Sequence, residues 1–256
     1  MVTKSDIETH FRMQLKKINR QGDLGISNFQ SVYEDLMPVQ QKRLKQICGT
    51  DFQKFLEQGS FICIALAYYE TEIANINQRT AEGRPNKKIW NIYAKAYDNL
   101  NRILNWLIEE LALLSSGIPI LATLEGMVST VQHVRNYFPL TISHRQIAEH
   151  AGLGWRGKNG LVIHPRYSCA VRYASVITHL PLPHNKKLSL NCGDCTACFD
   201  VCSFLKNRKR LKDYRESCRK YIKSLNLAKE VCGKCVLACY GDSIFKNQFQ
   251  LLKTGN

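Results

Sequence analysis

Eight of the chain's eleven cysteines fall between residues 192 and 239. The first four, Cys192, Cys195, Cys198 and Cys202 in "NCGDCTACFDVC", are spaced C-x2-C-x2-C-x3-C. Thiolates at this spacing ligate 4Fe–4S clusters. A tight loop aims three sulfurs at one cubane face, and the fourth, on the helix that follows, points to a second cluster. Cys218 and then Cys232, Cys235 and Cys239 in "CGKCVLAC" complete the set. The exchange rule of two-cluster proteins assigns Cys192, Cys195, Cys198 and Cys239 to cluster one. It assigns Cys202, Cys218, Cys232 and Cys235 to cluster two. The alternative metal is zinc, but zinc ribbons do not need three cysteines at successive x2 spacing, or eight in this order. Such loops usually carry Pro after the last cysteine. Here Ser203 and Tyr240 stand there, so the chain direction must be set another way. Cys48, Cys63 and Cys169 are scattered, and read as ordinary buried thiols.

A second stretch, "AGLGWRGKNG" at 151–160, imitates two phosphate motifs. Gly152, Gly154 and Gly157 spell G-x-G-x-x-G, and "GLGWRGKN" is one residue short of a P-loop. Both motifs need a strand before and a helix after, so that phosphate meets a helix N-terminus. Here "SHRQIAEH" reads as a helix before the glycines, and "NGLVIHP" as a strand after them. No acidic residue closes a strand about 20 residues on, and Asn159 lacks the hydroxyl that a P-loop offers to Mg²⁺. What survives is that glycines permit unusual φ angles and close approach of backbone to a ligand, or simply a turn.

Lys and Arg number 36 against 21 Asp and Glu, a formal net charge of +15. Such a balance suits an anionic partner: nucleic acid, a phosphate-bearing cofactor or an acidic redox protein. Much of it sits in "KNRKRLKDYRESCRKYIK", among the cysteines. An oxidised cluster with four thiolates carries about −2. Lys206, Arg208, Lys209, Arg210, Lys212 and Arg219 surround that charge in sequence. They would raise cluster potential or receive an acidic donor, unless they are only solvated helix faces. An odd cysteine count without a signal peptide argues against a disulfide framework and for a cytoplasmic protein. No run of eighteen apolar residues is present, so no membrane partner is expected.

The elements that must position these residues read as mixed α/β. The first 50 residues read as helices, beginning with "SDIETHFRMQLKKI". "FICIALAYY", 61–69, suits a buried strand. "IWNIYAKAYDNLNRILNWLIEELALLSSG" is the strongest helix, closed by Gly117. "IPILATLE" and "CAVRYASVITHLPL" are strand-like, and Ser143 can cap a helix over 144–150. Pro181 and Pro183 mark a linker. The expected division is an α/β domain over 1–185, a small ferredoxin-like two-cluster domain over 186–245 and a tail over 246–256.

"SHRQIAEHAGLGWRGKNGLVIHPRYSCAVRYASVITHLPLP", followed by the double cysteine set, resembles the epoxyqueuosine reductase family and its short forms, relatives of the cobalamin-dependent reductive dehalogenases. The resemblance runs from about Phe61 to Tyr240 and is strongest from Ser143 to Cys239. It implies a nitroreductase-like α/β domain holding cobalamin beside two 4Fe–4S clusters. Gly152, Leu153, Gly154, Trp155, Gly157, Lys158 and Asn159 would lie against the corrin, and Tyr97 resembles the Tyr of a family helix near the cofactor. Electrons from a flavodoxin or ferredoxin type of donor would pass through the clusters to the corrinoid. The corrinoid would then reduce epoxyqueuosine in tRNA or another small electrophile. Larger family members carry an Asp proton donor in a "VDxxPxxER"-like segment. Here that segment is "NYFPLTISHRQ", with Phe138 near the expected place, which leaves His144 or His133 as candidate donors. Two other readings remain open: an electron-transfer protein without its own corrinoid or substrate, and an RNA-binding protein with structural clusters. Neither substrate nor oligomeric state is legible.

Overall fold

The computed structural model describes residues 2–78, 85–122 and 131–255. In chain order the elements are α1 (Lys4–Lys17), β1 (Gly22–Asn28), α2 (Phe29–Asp35), α3 (Pro38–Cys48), α4 (Phe52–Gln58), β2 (Ser60–Ala67), α5 (Glu70–Ile73), α6 (Lys87–Ser115) and β3 (Ile118–Ile120). There follow α7 (His144–His150), β4 (Trp155–Arg156), β5 (Val162–Ile163), β6 (Val171–Thr178), α8 (Ala197–Asp200), α9 (Ser203–Lys206), α10 (Tyr214–Leu225) and α11 (Lys234–Asp242).

The apolar run at 61–69 lacks polar alternation because its strand is covered on both faces. β2 has all eight residues buried and lies inside a sheet of order β1-β2-β6-β3, every neighbour antiparallel. Its side chains alternate between two cores. Ile62, Ile64 and Leu66 pack with α1 and α6, while Phe61, Cys63 and Ala65 pack with α2, α4 and α7. β6 obeys the same rule. Ala174 and Val176 face the α6 side, and Tyr173 and Ile177 the α7 side.

The long helix is where its periodicity put it. Asn86 caps it by accepting from the Ile89 N–H at 3.3 Å, and its buried stripe runs from Trp90 to Ser115. Ser116, not Gly117, takes the left-handed closing position, with φ 48°.

One expectation fails in the first 50 residues: Gly22–Asn28 is a strand, not helix. "GDLGISN" has neither helical periodicity nor strong strand propensity. Its state is set by seven-residue pairing with β2 and by tight approach. A Cβ on Gly25 would sit 2.2 Å from the Ala151 carbonyl oxygen, so only glycine lets the strand meet the end of α7.

The cysteine-bearing segment packs on the α6 side. Leu225, Val231, Val236 and Cys239 belong to the same core as α6 and β2. The Ala228 N–H donates to Asn91 Oδ1 at 2.8 Å, and Lys229 pairs with Asp98 at 3.0 Å. The last residues return across the other end of this face. Phe249 is buried, the Gln250 N–H donates to the Arg166 carbonyl at 2.7 Å, and the Glu70 N–H to that of Leu252 at 2.8 Å. No helix among the described residues is long and apolar enough to cross a membrane.

Candidate functional site

Cys192, Cys195, Cys198 and Cys239 line one cavity, together with Lys158, Asn159, Ile163 and Ala197. Cys202 and Cys235 are near enough to shift each other's pKa, and Cys218 feels the charge of Cys232 and Cys202. Cys198 also feels Cys235, so the two groups are neighbours. The pairing across the sequence comes from α11. One helical turn separates Cys235 from Cys239, and the helix aims them at different groups.

Local structure explains each position. The Cys195 N–H turns back on the Cys192 carbonyl at 3.0 Å, with Gly193 between them at φ 45°. Cys198 is the second residue of α8. Cys202 stands at the N-terminal cap of α9. Its bond with the Cys235 thiol, and donation from the Leu205 and Phe204 N–H groups, pull its pKa down to about 6. Burial pushes Cys198 up to about 11 and Cys218 up to about 12. Thiols raised in this way are shielded from water, and ionise when a cation takes the proton's place.

The glycine stretch touches the first cysteine group through two side chains. The Lys158 ammonium donates to the carbonyls of Gly193 and Cys195, the latter at 3.0 Å. The Lys158 carbonyl in turn accepts from Arg208 Nη1 at 2.8 Å. Asn159 Nδ2 donates to Cys169 Sγ at 3.6 Å, and its Oδ1 closes a turn on the Leu161 N–H.

The three glycines answer to contacts inside the chain. Gly152 has φ 70°, and a Cβ there would lie 2.6 Å from the Lys186 carbonyl oxygen. A Cβ on Gly154 would meet the Ile163 carbonyl oxygen at 2.4 Å, and one on Gly157 the Ile163 side chain at 2.8 Å. The stretch leads out of α7 and forms the β4–β5 hairpin, with Trp155 opposite Ile163. Leu153 is buried in the second core, and Trp155 in the first, edge-on to Phe245.

The other named residues lie apart from the cysteine cavity. Tyr97 is on α6, its hydroxyl accepting from Arg172 Nη2 at 3.1 Å and its ring under the guanidinium at 4.3 Å. His144 has both ring nitrogens engaged: Nδ1 with Ser175 Oγ and Nε2 with the Leu121 carbonyl, each at 3.0 Å. A carbonyl only accepts, so Nε2 carries the proton and Nδ1 accepts from the serine. Burial lowers the pKa to about 4, which makes the ring neutral near pH 7. His133 is 40% exposed in its side chain, and its Nε2 lies 3.9 Å from both Asp213 and Glu216. Phe138 opens a short 3-10 turn, with Arg215 over its ring.

Two of the cations in the basic run are not solvated faces. Arg208 is tied to Lys158, as above. Arg219 is buried, chelates Glu216 and donates to the carbonyls of Val131 and Gln132. Lys206, Lys209, Arg210 and Lys212 are exposed.

Cys169 is the residue that sequence reasoning missed. It is buried, its S–H reaches the Cys235 carbonyl at 3.6 Å, and its sulfur accepts from Asn159 Nδ2 at 3.6 Å. Nothing in its spacing marks it, because the contact spans 66 residues.

No family model matches the chain. The epoxyqueuosine reductase of Bacillus cereus is 41% identical over 61 residues, which are 24% of this chain and 16% of that protein. That of Listeria monocytogenes is 30% identical over 152 residues, 58% of this chain and 36% of that protein. The chain thus matches about a sixth to a third of these relatives' own length. A crystal structure of a selenomethionine-labelled epoxyqueuosine reductase shares the fold, with a TM-score of 0.51 at 18% identity, over 92% of this chain and 65% of that one. The resemblance carried by the glycine and cysteine segments therefore holds: the chain is epoxyqueuosine reductase-like.

Proposed function

We propose that this chain is an iron–sulfur reductase of the epoxyqueuosine reductase type, carrying two 4Fe–4S clusters in a ferredoxin-like segment over 186–245 that follows a nitroreductase-like domain over 1–185. The observation that carries the proposal is the partition of the eight cysteines into two neighbouring groups of four, one of them lining a cavity. This donor set fits cubanes. Cys192, Cys195, Cys198 and Cys239 share the lining of one cavity, as the ligands of one cluster would. Cys192, Cys195, Cys198 and Cys239 would hold one cluster, and Cys202, Cys218, Cys232 and Cys235 the other. The clusters supply one-electron transfer.

The chain's own residues do the rest. Burial of Cys198 and Cys239 excludes water from those thiols. Lys158 clamps the loop between Cys192 and Cys195 and sets a positive charge beside the first group. The exposed Lys206, Lys209, Arg210 and Lys212 flank Cys202 and offer a docking face to an acidic electron donor of the flavodoxin or ferredoxin type.

The resemblance also calls for a corrinoid and for epoxyqueuosine in tRNA, or another electrophile, as substrate. The glycines do not support the corrinoid, since each is explained by a contact within the chain. Proton donation by His144 lacks support of the same kind, because its one N–H already serves a carbonyl; His133 keeps an accessible ring.

Anaerobic purification tests the cluster reading. It should yield about eight iron and eight sulfide per chain, and zinc without iron would overturn it. Cys198→Ala should lower iron to about four and destabilise the segment, since metal binding there supplies folding energy. Unchanged iron would contradict the ligand sets. Addition of cobalamin should move its visible spectrum from base-on to base-off, and an unmoved spectrum removes the corrinoid.

A further inference from the structure

The face of α6 that covers the sheet carries a polar stripe. Tyr93, Tyr97, Asn101 and Asn105 follow one another at i, i+4 spacing, so one side of the helix presents them in a row. Asn105 is accounted for just past β3, where its Oδ1 accepts from the Ala122 N–H at 2.7 Å. Tyr97 and Asn101 instead converge on Arg172. Its Nε donates to Asn101 Oδ1 at 3.0 Å, and its Nη2 donates to the Tyr97 hydroxyl at 3.1 Å. The guanidinium lies 4.3 Å from the centre of the Tyr97 ring. Arg172 is on β6, an inner strand of the sheet, at the end of the row that Ala174 and Val176 continue on the α6 side.

A guanidinium inside a fold is ordinarily paired with a carboxylate, because an unpaired charge is costly to take from water. Among the described residues Arg172 has no carboxylate partner, and its Nη1 bonds to none of them. Arg172 and Tyr97 are both half-buried, so the guanidinium is not sealed off. Tyr68 lies beside it. Leu66 pairs with Arg172 across β2 and β6, and two residues on the Tyr68 N–H donates to the Ala170 carbonyl at 3.0 Å. Tyr68 is thus the diagonal neighbour of Arg172 on the same face of the sheet. It is buried, its ring 5.2 Å from that of Tyr93, and its hydroxyl has no hydrogen-bond partner among the described residues. Buried hydroxyls rarely stay unpaired. A cation and an orphan hydroxyl on one face thus lack the same thing, an anionic acceptor. The planar fork of a guanidinium matches two oxygens of a phosphate or a carboxylate. Asn101 and Tyr97 fix the plane of that fork through Nε and Nη2, and Nη1 is left for a ligand.

We propose that Arg172, oriented by Tyr97 and Asn101 and joined by the Tyr68 hydroxyl, is a receptor for the phosphate or carboxylate group of a small ligand. The site is apart from the cysteine cavity, which none of these residues lines, so the inference stands independently of the cluster assignment. The anion supplies the charge that the guanidinium lacks and accepts from the Tyr68 hydroxyl. Arg172 and Tyr68 touch the ligand. Tyr97 and Asn101 are positioning residues, acting through the guanidinium.

The test is thermal unfolding of the full chain in rising inorganic phosphate or acetate, with chloride holding the ionic strength constant and iron counted in every sample. A ligand that binds only the folded chain raises the midpoint as its concentration passes the dissociation constant. The expected result is such a rise with phosphate, with acetate or with both, and the anion that acts distinguishes a phosphoryl ligand from a carboxylate one. Arg172→Met should raise the half-effective concentration about tenfold, since a charged fork is lost. Arg43→Met, which removes an exposed arginine of α3, should leave it in place. Tyr97→Phe removes only a hydroxyl and should weaken the response while keeping the packing and the iron content. A parent chain that responds to neither anion overturns the inference. So does a response that survives unchanged in Arg172→Met or, should that variant not fold, in Tyr97→Phe, since the anions would then be screening the net charge as a whole.

Discussion

Arg219 offers the sharpest test of how the cysteine segment is held. Its guanidinium chelates Glu216 at 2.7–3.0 Å and also donates to the carbonyls of Val131 and Gln132. Glu216 further accepts from the Val134 N–H at 2.9 Å. The pair thus binds the segment 131–134 to α10, the helix that bears Cys218. Side-chain exposure is 8% for the arginine and 11% for the glutamate, so solvent screens the pair little. Arg219 holds the Glu216 carboxyl down to about 2, from 4.5.

Arg219→Met should therefore cost about 3–5 kcal/mol, because it strands a buried carboxylate as well as two carbonyls. Glu216→Leu combined with Arg219→Met should cost less than Arg219→Met alone, since no charge is left unpaired. The measurement is the guanidinium midpoint of each variant at matched iron content, under anaerobic conditions. A depressed carboxyl contributes stability above its unfolded pKa, near 4.5, and loses it as pH falls through about 2. The gap between parent and double variant should close over that window. A double variant as damaged as the sum of the two singles would refute the argument, as would a gap that does not change with pH.

Three further outcomes follow from the same geometry. His144 is neutral when folded with a pKa near 4, against 6.5 when free, so the unfolded chain takes up the proton first. Its contribution should be complete above pH 6.5 and fall as pH drops toward 4, and His144→Gln should flatten that part of the stability profile while leaving iron content unchanged. Gly152→Ala should destabilise by about 1 kcal/mol or more, through its φ of 70° and the Lys186 carbonyl. A change in cobalamin affinity at unchanged stability would contradict the internal role given to this glycine. Lys158→Met should leave the fold intact but lower the potential of one cluster, since it removes a positive charge beside the cavity; potentiometry with unmoved waves would remove Lys158 from the site.

What the sequence determined alone was whatever is written in local spacing. C-x2-C-x2-C-x3-C is a property of a few consecutive residues, and it could be read before any fold was known. The α6 helix and the buried β2 strand were legible in the sequence, since 3.6-residue periodicity and an unbroken apolar run are one-dimensional signals. The glycine stretch shows the boundary. Its flanking helix and strand excluded a phosphate loop, but only the tertiary contacts of Lys186 and Ile163 explain why Gly152, Gly154 and Gly157 carry no side chain. β1 became a strand because β2 offered it an edge, against its own weak propensity. Arg219 looked like one more surface cation until Glu216 and two carbonyls closed around it. Cys169 looked like filler until α11 brought the Cys235 carbonyl to it from 66 residues away. Contacts between distant segments depend on how helices and strands pack, and that information lies in no window of the chain.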